Sequence, residues 1–445
     1  MMFRLVKLLL LVTATFSLMP TVKVMANTLV IGHRGASAFR PEHTLAAYEL
    51  AIDLGADFVE PDLVSTRDGV LVARHENQLS GTTDVADRPE FADRFTTKII
   101  DGDSVSGWFS EDFTLAELKT LRAVERIPGT RPDNTDFDGL FEIPTLEEII
   151  ALVNQKSAEV GRDIGIYPET KHPTFFAEEG TFFGGAEDGE TINISLGQLL
   201  IDTLVAENFT NPNRVFIQSF EFANLIELQT VIMPNAGVDI PLVQLYGSTI
   251  LPTASSFDRP YDIFFNAQNG ADLAAIYGCV FTTAEGGGLD VNTGYGNLDN
   301  AATLQCMGDT YAEGVGPWKN SLLPRISIPP VDGNGDGNAQ ITSQLTGEVT
   351  SFVNDAHAAG LVVHPYTLRP EEAFLTLNAD GTPQTLTDEV EQLVGIGVDG
   401  LFCDDPGTCR QAVDAIESAS VPEPSMTFGL GVLPLLGWLR RRRNK

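Results

Sequence analysis

His33 and Arg34 follow the apolar run Thr28–Ile31, and Glu60 and Asp62, one residue apart, precede His75. Imidazole titrates near neutral pH, so one ring can accept a proton while another donates one. Cleaving a phosphodiester needs both acts, one at the nucleophile and one at the leaving alkoxide. Side chains alternate along a strand, so Glu60 and Asp62 share a face, where two carboxylates repel unless a cation binds them. Glu169 would complete an oxygen-rich site for a divalent ion, Mg2+ or Ca2+. Arg34 and Lys171 are the local cations that could hold phosphate oxygens. Taken singly, each residue has a plainer reading: a hydrogen-bonded core histidine, exposed carboxylates, a cation paired with surface acid. The catalytic reading rests on their co-occurrence, because only six histidines exist in 445 residues and two fall beside the acidic pair and Arg34.

These residues need a scaffold that gathers them. The chain alternates short apolar strands with helical stretches, as parallel α/β folds do. Strand candidates are Leu29–His33, Phe58–Val64, Ile164–Glu169, Val215–Ser219, Leu242–Tyr246, Tyr311–Gly316, Leu361–Tyr366 and Gly400–Asp404. Helices are expected at Leu45–Leu54, Leu146–Ser157, Gln198–Glu207, Phe222–Val231, Gly347–Ala359 and Thr387–Ile396, with Thr145 as an N-cap before acidic first-turn residues. Eight strands predict an α/β fold of the TIM (β/α)8 barrel type, whose chemistry sits at the C-terminal strand ends. His33-Arg34, Glu60, Asp62, Glu169, Lys171, Gln218-Ser219, Glu313 and His364 to Arg369 all fall at or near those ends on this reading. Two long segments, about 80–141 and about 247–310, exceed a minimal barrel and are expected as rim insertions. Asp332-Gly333-Asn334-Gly335-Asp336-Gly337 has the spacing of the first half of a calcium loop, but Ser343 stands where its last glutamate belongs. An Asp/Gly-rich turn between strand and helix is the alternative.

Both ends read as addresses. Arg4 and Lys7, the apolar stretch to Met19, and Val24-Met25-Ala26 form a signal-peptide pattern with cleavage expected after Ala26; an uncleaved N-terminal anchor is the alternative. Residues 27–420 would be the barrel domain. Val421-Pro422-Glu423-Pro424, an apolar segment and Arg440 to Arg443 resemble the PEP-CTERM sorting tail, which implies transient membrane attachment and processing by an exosortase. A plain C-terminal membrane helix is the other reading. Either places the domain outside the inner membrane, in the periplasm, at the cell surface or in the extracellular matrix of a Gram-negative-type bacterium. Without both ends the chain keeps 20 basic and 60 acidic residues. That surface excludes nucleic-acid binding, which needs a basic footprint. Cys279, Cys306, Cys403 and Cys409 suggest two disulfides in an exported chain. Cys279–Cys306 and Cys403–Cys409 are favoured because each closes a short loop.

His33-Arg34-Gly35-Ala36-Ser37, Pro41-Glu42-His43-Thr44, Glu60-Pro61-Asp62, Arg74-His75, Glu169-Thr170-Lys171, Gln218-Ser219-Phe220, the run from Val363 to Arg369 and Cys403-Asp404-Asp405-Pro406 together resemble the glycerophosphodiester phosphodiesterase family, in its periplasmic-type branch. The resemblance implies His33 and His75 as the acid/base pair, Glu60, Asp62 and Glu169 as ligands of one divalent metal, often calcium in this branch, and Arg34 and Lys171 as phosphate contacts. It implies hydrolysis of a glycerophosphodiester to sn-glycerol 3-phosphate and a free alcohol. Three positions depart from the pattern: Pro61, where a polar residue is common, and Arg74 and Glu76, since Arg74-His75-Glu76 replaces the more usual apolar-His-Asp. A phospholipase-D-like enzyme acting on intact lipids, or a surface or matrix protein that keeps the barrel only as a binding scaffold, are the competing readings.

Overall fold

The computed structural model describes residues 28–253 and 255–420; the expected signal peptide and sorting tail lie outside them. Eight parallel strands run in chain order around a closed barrel: β1 (Leu29–His33), β2 (Phe58–Glu60 and Asp62–Ser65), β3 (Gly165–Ile166 and Glu169–Thr170), β4 (Ile217–Ser219), β5 (Leu242–Tyr246), β6 (Gly314–Pro317), β7 (Val362–Val363) and β8 (Gly400–Cys403). β1 pairs with β2 and β8. β7 and β8 close the ring through Asp399 N–H to Val363 O, Phe402 N–H to Pro365 O and Leu368 N–H to Phe402 O. Pro61 has no N–H to give, which splits β2. Its carbonyl still accepts from Glu169 N–H at 3.0 Å, so the strand stays in the ladder.

A helix follows each strand, from Leu45–Asp53 after β1 to Pro406–Ser420 after β8. The caps are those expected of the local sequence. Thr44 accepts from Ala47 N–H, and Thr145 and Glu148 form a reciprocal capping box at the start of Leu146–Val160. The main core lies between strands and helices; a smaller cluster of Ile31, Phe58, Tyr167, Val243 and Phe402 plugs the barrel interior. His364 belongs to this interior layer, its Nδ1 2.9 Å from the Tyr167 hydroxyl. No helix among the described residues is long and apolar enough to cross a membrane.

Three excursions rise from the C-terminal rim. The first carries an antiparallel hairpin, Thr96–Ile100 with Asp103–Gly107, and the second a group of short helices between Tyr261 and Thr283. The third, Arg325–Val331 paired with Ile341–Leu345, is a hairpin where a turn between strand and helix was expected. The helix expected from Gly347 begins at Phe352, because Gly347 is left-handed and Thr350 N–H is drawn to Leu322 O. β6 starts at Gly314, three residues later than expected. Glu313 therefore precedes the strand, at the opposite end of the barrel, where its carboxylate accepts from Leu242 N–H at 2.8 Å. Glu313 takes no part in the rim cluster. Cys279–Cys306 and Cys403–Cys409 are the disulfides.

Candidate active site

Strand register assembles the site. His33 of β1 lies opposite Glu60 of β2, Asp62 opposite Glu169 of β3, and Glu169 opposite Gln218 of β4. Register partners on neighbouring strands stand about 5 Å apart. One carboxylate oxygen each from Glu60, Asp62 and Glu169 consequently fall within 4.8 Å of one another, all three residues buried. Burial, then Asp62, pushes the Glu60 carboxyl well up; burial, with Asp62 adding to it, lifts Glu169 to about 8 against the pull of Lys171. Asp62 is the ionised member. Burial opposes its charge, but His43, Arg34 and Lys171 hold it well below the usual carboxylate range. Its Oδ2 accepts from His43 Nε2–H at 3.0 Å, while Oδ1 is buried with no hydrogen-bond partner. An orphaned buried carboxylate oxygen costs free energy unless a cation takes it. The three carboxylates therefore fit a hard divalent cation.

His33 sits at the tip of β1. An ionised carboxylate only accepts, so His33 Nδ1–H donates to Asp404 Oδ1, at 2.6 Å, and the other ring nitrogen is left as the base. Nε2 lies 3.4 Å from Thr367 Oγ1. Burial and then Arg34 push the His33 pKa down to about 4, against Asp404. Asp404 itself is gripped by Arg131 at 2.5 Å and Arg369 at 3.2 Å. Arg34 adopts a left-handed backbone (φ 60°), held by its N–H to Glu60 Oε2 at 2.8 Å. Its guanidinium bonds Glu42 at 3.1 Å and approaches Asp62 at 3.4 Å. Gly35 must be glycine: its φ is +88°, and a Cβ there would run into Ala47.

His75 faces the same cleft from the segment after β2, its Nδ1 2.9 Å from Glu76 Oε1. Its position in the cleft, then Arg34 and Lys171, push its pKa down to about 3, against Glu76. Glu76 also receives His172 Nε2 at 2.8 Å, and His172 Nδ1 reaches Asp101 at 2.7 Å. Lys171 Nζ is 3.0 Å from Glu169 Oε1. The cleft, about 1200 Å3, is lined by His33, Arg34, Glu60, His75, Glu169 and Lys171 together. All seven residues singled out in the sequence thus converge, with Asp62 forming the floor behind the others. Sequence reasoning assigned no role to Asp404, His43, Glu42, Arg131 or Gln218. The first three and Gln218 lie inside the quoted motifs, which was their signal; Gln218 Nε2–H donates to Glu60 Oε1 at 3.2 Å. Arg131 comes from the first excursion and had none.

The sequence profile of the glycerophosphoryl diester phosphodiesterase family matches residues 33–261 and 299–408. The unmatched span between them includes Cys279 and most of the short-helix excursion. A glycerophosphodiester phosphodiesterase of Arabidopsis thaliana (GDPD6) is 31% identical over 378 residues, covering 85% of this chain and 84% of that one. The Haemophilus influenzae glycerophosphodiester phosphodiesterase is 26% identical, over 88% of this chain and 91% of its own. Among solved structures, an Oleispira antarctica phosphodiesterase in complex with the product sn-glycerol-3-phosphate aligns with a TM-score of 0.48 at 18% identity, over 87% of this chain and 96% of that one. With three quarters of its length matched by one family profile and a relative of 31% identity along most of both chains, this protein belongs to the glycerophosphoryl diester phosphodiesterase family.

Proposed function

We propose that this protein hydrolyses glycerophosphodiesters to sn-glycerol 3-phosphate and an alcohol. The observation that carries the reading is the orphaned Oδ1 of Asp62, buried within a three-carboxylate cluster whose cleft also holds His33, His75, Arg34 and Lys171. Family membership supports it.

Glu60, Asp62 and Glu169 would hold the divalent metal on which enzymes of this family depend, and Ca2+ suits an all-carboxylate set that leaves room for water. A metal bound there supplies Lewis-acid neutralisation of the phosphate. Arg34 and Lys171 place positive charge where negative charge builds on the phosphoryl oxygens. His33 is the base: with Nδ1–H committed to Asp404, Nε2 takes a proton from the attacking hydroxyl, of water or of the neighbouring glycerol carbon, and Asp404 stabilises the imidazolium formed. As the new P–O bond forms, the bond to the alcohol breaks; attack by water gives sn-glycerol 3-phosphate directly, whereas attack by the glycerol hydroxyl gives a cyclic phosphate that water then opens to it. His75, paired with Glu76, gives its proton to the departing oxygen. An incoming phosphate offsets Arg34 and Lys171, whose charges add to the burial that keeps His75 neutral. Aromatic rings of Phe220, Phe257, Trp318 and Tyr366 pack together along the same cleft, an apolar wall suited to a choline-type head group.

The chain's ends extend the reading. Cleavage after Ala26, a PEP-CTERM-type tail from Val421 with exosortase processing, membership of the periplasmic-type branch, and work outside the inner membrane are supported by the terminal sequence patterns and by two disulfides, which persist in oxidising compartments. The test is release of glycerol 3-phosphate from glycerophosphocholine by purified protein titrated with Ca2+ or Mg2+, against a lysolipid as the rival substrate. His33→Ala and His75→Ala should each abolish turnover while remaining folded. Full turnover by either would refute the acid/base assignment, and preference for the lysolipid would refute the substrate class.

A further inference from the structure

The calcium-like loop at the tip of the third rim hairpin is completed in space rather than in sequence. Asp332, Asn334 and Asp336 occupy the first, third and fifth places of such a loop, with Gly337 at the sixth. The twelfth place, Ser343, offers no carboxylate. Glu372 does. One carboxylate oxygen each from Asp332, Asp336 and Glu372 lie within 4.8 Å of one another. Glu372 comes from the loop after β7, and its Oε1 accepts Gly333 N–H, which turns the carboxylate into the loop.

Glu372 is the observation that points to a ligand. It is 8% exposed, and its second oxygen, Oε2, is buried with no hydrogen-bond partner. Among the described residues, no lysine, arginine or histidine pairs with Glu372, Asp332 or Asp336, in a molecule where most other buried carboxylates have a cation beside them. A buried carboxylate oxygen left unpaired beside two more carboxylates is unfavourable twice, by desolvation and by repulsion. A hard cation relieves both.

We propose that Asp332, Asp336 and Glu372, with Asn334, form a second divalent-cation site that takes Ca2+ and clamps the rim hairpin to the loop following β7. The hairpin's second strand already bonds that loop, Leu345 N–H to Leu377 O and Leu377 N–H to Ser343 O, so the clamp acts on its first strand and tip. Its first strand contains Pro329 and Pro330, its register slips between Ser327 and Val331, and Ile326 is exposed. The position also gives the clamp a consequence. Arg325 to Ser327 and Ala373 to Leu375 line the cleft, and Glu371, next to Glu372, bonds Arg131, which in turn holds Asp404. Calcium is favoured over Mg2+ because an irregular set of carboxylates drawn from two segments suits its variable coordination better than a strict octahedron.

The test counts bound 45Ca2+ by equilibrium dialysis of the full chain and follows proteinase K cleavage within 332–340. Asp336 is exposed, so Asp336→Asn threatens no core packing. Asp336→Asn and Glu372→Gln should each bind one equivalent fewer than the unaltered protein, and Ca2+, but not equimolar Mg2+, should slow loop cleavage in the unaltered protein alone. Equal stoichiometry in all three proteins would overturn the site. Equal protection by Mg2+ would overturn its assignment to calcium.

Discussion

Replacing Asp404 with Asn tests the active-site geometry more sharply than removing either histidine. The substitution keeps shape and removes one buried charge beside His33, across a 2.6 Å contact. At an effective dielectric of about 20, a unit charge roughly 4 Å from an imidazolium stabilises it by about 4 kcal/mol. Arg131 and Arg369 already share this carboxylate, so about half that amount is available to His33, roughly a thirtyfold effect on rate. Tautomer control adds to it. The arginines face the outer oxygen and would repel an amide nitrogen there; turned the other way, the amide would present N–H to Nδ1 and move the ring proton onto Nε2, the atom assigned as base. We expect kcat on glycerophosphocholine to fall about 10²- to 10⁴-fold, the range seen when general-base function is lost. The pH profile separates this from mere structural damage. Asp404 raises the His33 pKa, which stands at about 4 under burial and Arg34. A base must be neutral, so activity falls as pH drops through that value; without Asp404 the acid limb should move to lower pH. Stopped assays between pH 3 and 9, with thermal melting to verify the fold, read both effects. A folded Asp404→Asn enzyme within threefold of normal kcat, with an unmoved acid limb, would refute the reasoning.

Two further outcomes follow from the buried carboxylates and the disulfides. Folding raises the Glu169 pKa to about 8 through burial and Asp62, so the stability that its protonated form provides is present at low pH and lost as pH rises through that value. The metal-free protein should melt at lower temperature at pH 9 than at pH 6, and because Ca2+ must displace that proton, and the one that burial and Asp62 favour on Glu60, its affinity should climb at least roughly fiftyfold between pH 6 and pH 8; calorimetry showing pH-independent affinity would contradict this. The Cys403–Cys409 bridge spans 6 residues and Cys279–Cys306 spans 27, so removing them should cost about 2 and about 3.5 kcal/mol respectively in denaturant titrations. Only the first, whose Cys403 adjoins Asp404, should also depress kcat.

The barrel was readable because its strands are buried on both faces and so appear as short apolar runs, each ending in polar residues. The exceptions have local physical causes. Glu313 looked like a rim residue because Tyr311 and Ala312 extend the apolar run beyond the true strand, into the end of the preceding helix. The third hairpin was missed because Pro329-Pro330 argue against a strand, although an edge strand tolerates them. Its tip was read as half a calcium loop because the remaining carboxylate, Glu372, comes from a distant segment. Arg131 was invisible for a similar reason: nothing local marks an excursion residue that reaches back to β8. Asp404 could have been assigned by closing the barrel on paper, since β8 must return beside β1, which brings the end of one strand against His33.

That closure also resolves an apparent contradiction in the charge count. A chain with 61 acidic and 28 basic residues is a poor host for a phosphodiester, and the two cations assigned to the phosphate are already engaged: Arg34 by Glu42 and Asp62, Lys171 by Glu169. The engagement is conditional. Glu169 cannot serve fully both Lys171 and a divalent cation, so a cation held by the carboxylates would loosen Lys171 from its 3.0 Å partner and leave its charge for the phosphate. On this reading the acidic cluster and the cations beside it would be two parts of one anion site, the first filled before the second is free to act.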